Sequence, residues 1–424
     1  MIRLVYGNRI DALAGALAER LDAREAEGVS PLEPVDLVVP NRHLQRYLEI
    51  ELARHRGFSA NLRFHRLDSF VTRWLHQETG QPLLGRGALL RGLLAIFGDA
   101  EALAARELEP VRRYLGDERG PASGARRAQL ALRMARLFEA YAYGRPELVA
   151  AWERGEAALA DTPLGETERW EQALYRAVRG REQAAPLPQV LRQLARGEGG
   201  NPRLPSELHV FGLSYVARVF QWAYGLLGRR LGLHLYVPNP CREFWEDLRT
   251  PTEGGDDELA APQIAGNEAL PEPPLLAWWG RPGREHVRLT SELTEGAFVD
   301  AFREPLATEG TLLHALQRDV LERRPPPEEP HLPADGSLRA LACSGVRREL
   351  ETVAEHIWQA VREDPTLRFN EIAVFVPPDG RSAYLPQLSA IFEAAGQLPH
   401  HVVDLPLASA SAMVDAASLL LRLP

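Results

Sequence analysis

Two hydrophobic rhythms alternate along this chain. Residues 2–6 form a short apolar run closed by Gly7, after which Ile10, Leu13, Leu17 and Leu21 recur at helical spacing with Asn8 at the N-cap position. DLVVP at 36–40 repeats the strand pattern and ends at Pro40. The next helix carries Leu44, Leu48 and Leu52 four residues apart and stops at Gly57. Strand, helix, strand, helix predicts a parallel sheet with right-handed crossovers. From about Leu67 to Gly197 the pattern is helical almost throughout, with few β-branched runs, which predicts a helical insertion. The sheet rhythm returns with a strand at 208–212, a helix at 216–230 and a strand at 232–237 before the Pro238–Pro240 stop.

Beyond that stop the punctuation changes. Residues 251–274 are acidic, rich in Gly and Pro, and too poor in apolar side chains to offset ordering entropy, so a mobile loop is expected. The apolar stretches in 275–300 should pack back on the first domain. RRPPPEEPHLPADGS at 323–337 reads as a stiff spacer between domains. After it come a strand at 338–343, a helix from 346, a strand at 371–377, a helix at 383–395 and a strand at 400–404. The chain stops inside one more helix, which reads as the fragment of something longer. The expected organisation is α/β: residues 1–66 and 201–322 build one parallel-sheet domain, 67–200 form the insertion, and 338–424 begin a second sheet domain.

Composition narrows the class. A length of 424 residues with 45% hydrophobic side chains suits a multidomain globular protein. There is no secretory leader pattern and no uninterrupted apolar run of ~18 residues. Cys241 and Cys343 are too few and too isolated for a disulfide framework or zinc site, and are expected as buried small hydrophobes in a reducing cytoplasm. The net charge of −9 is uneven: residues 1–150 hold 22 arginines against 19 acids, a balance of +3, and the rest carries the acidic excess. Between Arg42 and Arg73 stand seven arginines and three acids, interleaved with Tyr47, Phe58, Phe64, Phe70 and Trp74. Guanidinium groups hold phosphates and rings stack bases, so this is material for a single-strand channel. A solvated amphipathic helix beside a core accounts for the same pattern.

Strand, glycine, helix at a domain's first turn is where nucleotide-binding proteins keep a phosphate loop. That loop needs G-x-x-x-x-G-K-[ST], and here Gly7 and Asn8 stand alone, in a chain whose 49 basic residues are all arginine. In a translocase with two RecA-like domains, the strand after the insertion ends in Asp-Glu, which hold Mg²⁺ and the attacking water. Here Gly212 and Leu213 occupy that place. Arg347, with Arg348, sits where the second domain of such motors offers an arginine to the γ-phosphate, or simply opens a solvent-facing helix. Ser214 lies between a strand and a helix like a nucleophile, but the elbow's second glycine is Val216. No catalytic, cofactor or metal residue is expected.

The chain resembles the N-terminal part of the RecC family, gamma chains of exodeoxyribonuclease V. The stretches that carry the likeness include VYGNRIDALAGAL, GFSANLRFHRLDSF, RLFEAYAYGRPELVAAWE, HVFGLSYVARVF, LHLYVPNPCREFWED, PLLAWWGRPGREHVRL and CSGVRRELETVAEHI, in that order. The resemblance implies two RecA-like, superfamily 1 helicase-like domains without a working motor. The second would be truncated here. It also implies a non-catalytic subunit in double-strand-break repair and recombination, with no ATPase or nuclease activity of its own. Its partners would be a RecB-like helicase and nuclease, a RecD-like helicase, and single-stranded and forked DNA. A tunnel would guide the 3′-ended strand and take part in reading a Chi-like sequence, lined by 40–46, 66–72 and 136–145. Leu137, Glu139 and Arg145 agree with the family's lining. Pro40, Arg42, Arg46, Arg66, Thr72 and Arg136 stand at lining positions but make it more basic, which puts the usual sequence preference in doubt and leaves strand binding intact. An AddB-type subunit, or a protein–protein scaffold with a vestigial tunnel, are the alternatives.

Overall fold

A computed structural model of the chain describes every residue except 117–120, 201–203, 249–272, 326–334, 378, 404, 406–410 and 421–424. The chain divides into two compact units, Met1–Asp335 and Gly336–Pro424.

The first unit is built on a six-stranded sheet: β1 (Ile2–Gly7), β2 (Val35–Val38), β3 (Leu62–His65), β4 (Glu207–Phe211), β5 (Gly232–Pro238) and β6 (Val299–Asp300). Its order is β3-β2-β4-β5-β1-β6. Every pairing is parallel. Alternation along each strand divides the core. Val5, Leu37, Phe211 and Tyr236 meet Leu13, Leu17 and Leu21 of α1 (Ile10–Ala26) and Leu48 and Leu52 of α2 (Arg42–Arg56) on one face. Leu4, Val38, Val210 and Leu235 point to the other face.

Between β3 and β4 the chain is helical: α3 (Leu67–Thr79), α4 (Arg86–Phe97), α5 (Glu109–Leu115), α6 (Pro121–Gly144), α7 (Pro146–Arg154), α8 (Gly165–Glu182) and α9 (Leu187–Ala195). The second sheet face packs on α3 and α9, and on α10 (Arg218–Leu227). The other helices close their own core around Leu93, Phe138, Trp152 and Tyr175. Trp152 donates to Glu168, which also accepts from the backbone N–H groups of Ala158 and Leu159 at 2.7 Å, so this buried carboxylate is fully used in bracing a loop. After α11 (Pro274–Trp279), α12 (Arg281–Glu292) returns to the sheet: the Tyr6 hydroxyl donates to the Val287 carbonyl at 3.0 Å and lies 2.8 Å from the Thr290 hydroxyl. The unit's last helix among the described residues is α13 (Leu312–Leu321).

Several expectations are corrected. Asn8 is not the N-cap of α1; Arg9 holds that position, extended, with its guanidinium on Asp11. β3 escapes a pattern reading because Leu62-Arg63-Phe64-His65 lacks β-branched residues and is only half-buried at the sheet's edge. The acidic stretch 251–274 lies outside the described residues except for its last two, as does most of the proline-rich spacer. Cys241 is buried and Cys343 half-buried, both free.

The second unit holds α14 (Val346–Glu363), α15 (Arg381–Ala394) and α16 (Ala412–Leu420), with a small core of Leu350, Ala354, Leu388, Phe392 and Leu398. The strands expected at 338–343, 371–377 and 400–404 are not formed among the described residues. A strand exists only by hydrogen bonding to a neighbour, and these segments leave Leu338, Leu341, Val374, Phe375 and Val403 exposed instead.

Candidate nucleic-acid interface

Ligands of open parallel sheets sit beyond the carboxyl ends of the strands, where neighbouring loops leave for opposite faces. The sheet parts in this way between β1 and β5 and again between β2 and β4.

At the first place the chain fills the space itself. The Asn8 side chain donates to the Arg303 carbonyl and accepts from the Arg303 N–H, both at 2.9 Å. The Gly7 carbonyl accepts from Asn239, and Ala301 donates to Tyr6 at 2.8 Å. A Cβ on Gly7 would stand 3.0 Å from the Ala301 carbonyl oxygen. The Asn8 amide, which could face a phosphate there, is thus spent on Arg303, and residue 301 closes the space over Gly7.

At the second place Gly212 adopts a left-handed conformation, φ 71°, and Leu44 of α2 covers it: a Cβ there would lie 2.5 Å from Leu44 Cδ2. Leu44 thus occupies the space that a side chain at position 212 would need. Leu213 is half-buried against the core. The His286 ring lies against its backbone, and burial pushes that imidazole down to about 4. Arg347 belongs to the second unit, where it pairs with Glu351 of its own helix at 3.0 Å. Ser214 is exposed and makes no hydrogen bond to a histidine among the described residues, which leaves no hydrolytic dyad there.

The three segments named for strand contact adjoin one another. The Arg66 guanidinium reaches the Pro40 carbonyl at 3.4 Å, joining 40–46 to 66–72. Tyr143, raised in pKa by burial and then by the charges of Glu139 and Asp68, joins 66–72 to 136–145. Its ring lies 5.2 Å from Phe220 at the start of α10. Arg42, Thr72, Arg136 and Arg145 are exposed, with Arg145 at the N-cap of α7. Arg46 pairs with Glu49 at 3.2 Å yet stays 74% exposed, and Arg66 is 70% exposed near Asp68. Leu137 packs partly into the helical core. Glu139 is held by Arg86, so its charge is already neutralised.

The Arg42–Arg73 cluster therefore divides. Arg56 is 6% exposed, bonded to Asp22 at 2.6 Å and to Glu25, with its guanidinium 4.7 Å from the Phe58 ring centre. That arginine ties α2 to α1. Phe70 and Trp74 are core residues rather than stacking platforms, and the Trp74 indole donates to buried Glu78 at 2.8 Å. Arg42, Arg63 and Arg73 remain exposed. What sequence reasoning missed is the filling of both crevices by Arg303 and Leu44, long-range partners that no local signal marks.

Among the described residues, no three or more His, Cys, Asp or Glu side chains could hold a metal, and no helix is long and apolar enough to cross a membrane.

Residues 2–323 match the family described as RecC, N-terminal domain. The RecBCD enzyme subunit RecC of Escherichia coli (strain K12) is 28% identical over 476 aligned positions, covering 100% of this chain and 41% of that protein. The Haemophilus influenzae subunit is 24% identical, with 100% and 42% covered. That of Mycobacterium tuberculosis (strain CDC 1551) is 32% identical over 290 positions, 67% of this chain and 25% of its own length. The chain spans about two fifths of the length of the first two relatives.

Proposed function

The chain belongs to the RecC family, and on that premise we propose that it is a motor-less, helicase-like part of a RecBCD-type helicase and nuclease acting in DNA repair and recombination. In this reading residues 1–66 and 201–322 are a RecA-like domain, 67–200 its insertion, and 338–424 belong to a second one. The chain binds no ATP, clasps RecB-like and RecD-like partners, and guides the 3′-ended single strand across Arg42, Arg46, Arg66, Thr72, Arg136 and Arg145. It takes part in reading a Chi-like sequence, with a preference shifted by its more basic lining.

The observation that carries the reading is the pair of filled crevices beside an exposed arginine rim: Asn8 locked on Arg303, Leu44 over Gly212, and Arg42, Arg66 and Arg145 in solvent, Arg66 with only exposed Asp68 beside it at 3.6 Å. A sheet in this state positions a strand but has no place for a nucleotide's phosphates and Mg²⁺. The test pairs calorimetry against ATP and Mg²⁺ with single-strand binding over a salt series. We expect no heat of ATP binding, and a salt slope that falls by roughly 0.7 for each of Arg42, Arg66 and Arg145 changed to alanine. Micromolar ATP binding, or three variants indistinguishable from the parent, overturns the reading.

A further inference from the structure

The exposed face of α2 runs on from the strand segments into a cleft of about 680 Å³, walled by Arg46, Glu49, Ile50, Ala53 and Arg54 on one side and residues 59–62 on the other. Arg46, Ile50 and Arg54 follow at four-residue spacing, about 6 Å of helical rise apiece. An apolar side chain, 40% exposed, thus stands between two guanidinium groups. Arg63, beside the cleft's Leu62, is exposed on the outermost strand of the sheet.

The charges here are available. Arg46 pairs with Glu49 at 3.2 Å and Arg54 with Glu51 at 2.5 Å, both contacts along one helix with the arginines mostly in solvent. Exposed pairs of this kind are worth at most about 1 kcal/mol, so exchanging the carboxylate for a phosphate costs little. With Arg42 and Arg63 added, four arginines stand against two carboxylates, and the surplus favours a polyanion over an acidic side chain or two.

We propose that this cleft is a side pocket for one nucleotide of the single strand, its base on Ile50 and Ala53 and its flanking phosphates on Arg46 and Arg54. The proposal rests on the strand-guiding function above and adds a seat that none of the expected lining residues beyond Arg46 provides. A nucleotide held there is drawn aside from the path.

The test cross-links the purified chain to a single strand carrying iodouracil and maps the modified peptides. It also compares Arg54→Gln, Ile50→Ser and Arg145→Ala over a salt series, with a urea midpoint taken for each variant. Cross-links should fall within 46–62. Arg54→Gln should lower the salt slope by about 0.7. Ile50→Ser should weaken binding roughly fivefold at unchanged slope, because it removes apolar contact and no charge. If the parent binds and Arg145→Ala lowers the slope, while Arg54→Gln is silent and cross-links avoid 46–62, the pocket is wrong and the path stands. If the parent binds no strand, both fall. If a polyglutamate peptide rather than the strand protects 46–62 from hydrogen exchange, the cleft is a protein site and the proposal falls.

Discussion

Replacing Gly212 with alanine tests whether the second crevice is closed as described. Two costs arise at one atom. At φ 71° an L side chain is strained by roughly 1–2 kcal/mol. The new Cβ would also sit 2.5 Å from Leu44 Cδ2 and 3.8 Å from its Cγ. Leu44 is half-buried and its terminal methyl can swing, so the overpacking falls at the low end of the usual range, about 1 kcal/mol. The sum is about 2–3 kcal/mol, a large share of the ~5–15 kcal/mol that holds a typical domain. The assay is urea unfolding in a double-mutant cycle with Leu44→Ala. With Leu44 shortened the clash goes and only the backbone strain remains, so Gly212→Ala should cost about 1 kcal/mol less in that background. Equal costs in the two backgrounds would mean that Leu44 does not fill the crevice. A negligible cost in both would mean that the turn is not left-handed.

Asn8→Ala removes both hydrogen bonds to Arg303 and should cost about 1–2 kcal/mol while speeding hydrogen exchange at the Arg303 amide; unchanged exchange refutes the lock. His209 and His234 stack at 4.9 Å above Glu207, and burial holds His209 well below its usual value and His234 at about 4. The unfolded chain then binds the extra protons, so this stability is complete above about pH 6.5 and drains as pH falls toward 4. A urea midpoint flat from pH 7 to pH 4 in the wild type, or one that falls as steeply in a His234→Gln variant, would contradict this. Arg56→Ala should lower the urea midpoint, since it strips Asp22 and Glu25 of their partner, yet leave the salt slope of strand binding intact; a reduced slope would return Arg56 to the interface.

The helices were legible because their signals are local. The stop of α2 at Gly57 is a left-handed glycine, φ 79°, and the Leu44, Leu48, Leu52 ladder needs nothing outside its own helix to be read. The central strands were legible as apolar runs buried on both faces. Sheet order was not, because nothing in the run at 232–238 says that it lies between β4 and β1. In the second unit the apolar pattern of 371–377 is strand-like, and it stays unpaired because propensity supplies no hydrogen-bonding neighbour.

The site was legible in residue type and not in pairing. Counting seven arginines between 42 and 73 treats Arg56 and Arg66 alike. Their fates depend on Asp22 and Glu25, which lie more than 30 residues upstream and reach Arg56 only because α1 and α2 share one face of the sheet. Arg66, between β3 and α3 at the sheet's rim, meets a carbonyl at 3.4 Å and a carboxylate at 3.6 Å and stays in solvent. A buried guanidinium with two carboxylates has no charge left for a phosphate, whereas an exposed one releases counterions when a strand arrives. The charge sum of a stretch states how many counter-charges it requires. Only the fold decides whether carboxylates of the same chain supply them, as for Arg56, or whether the guanidinium is left in solvent with no ion pair among the described residues, as for Arg42 and Arg145.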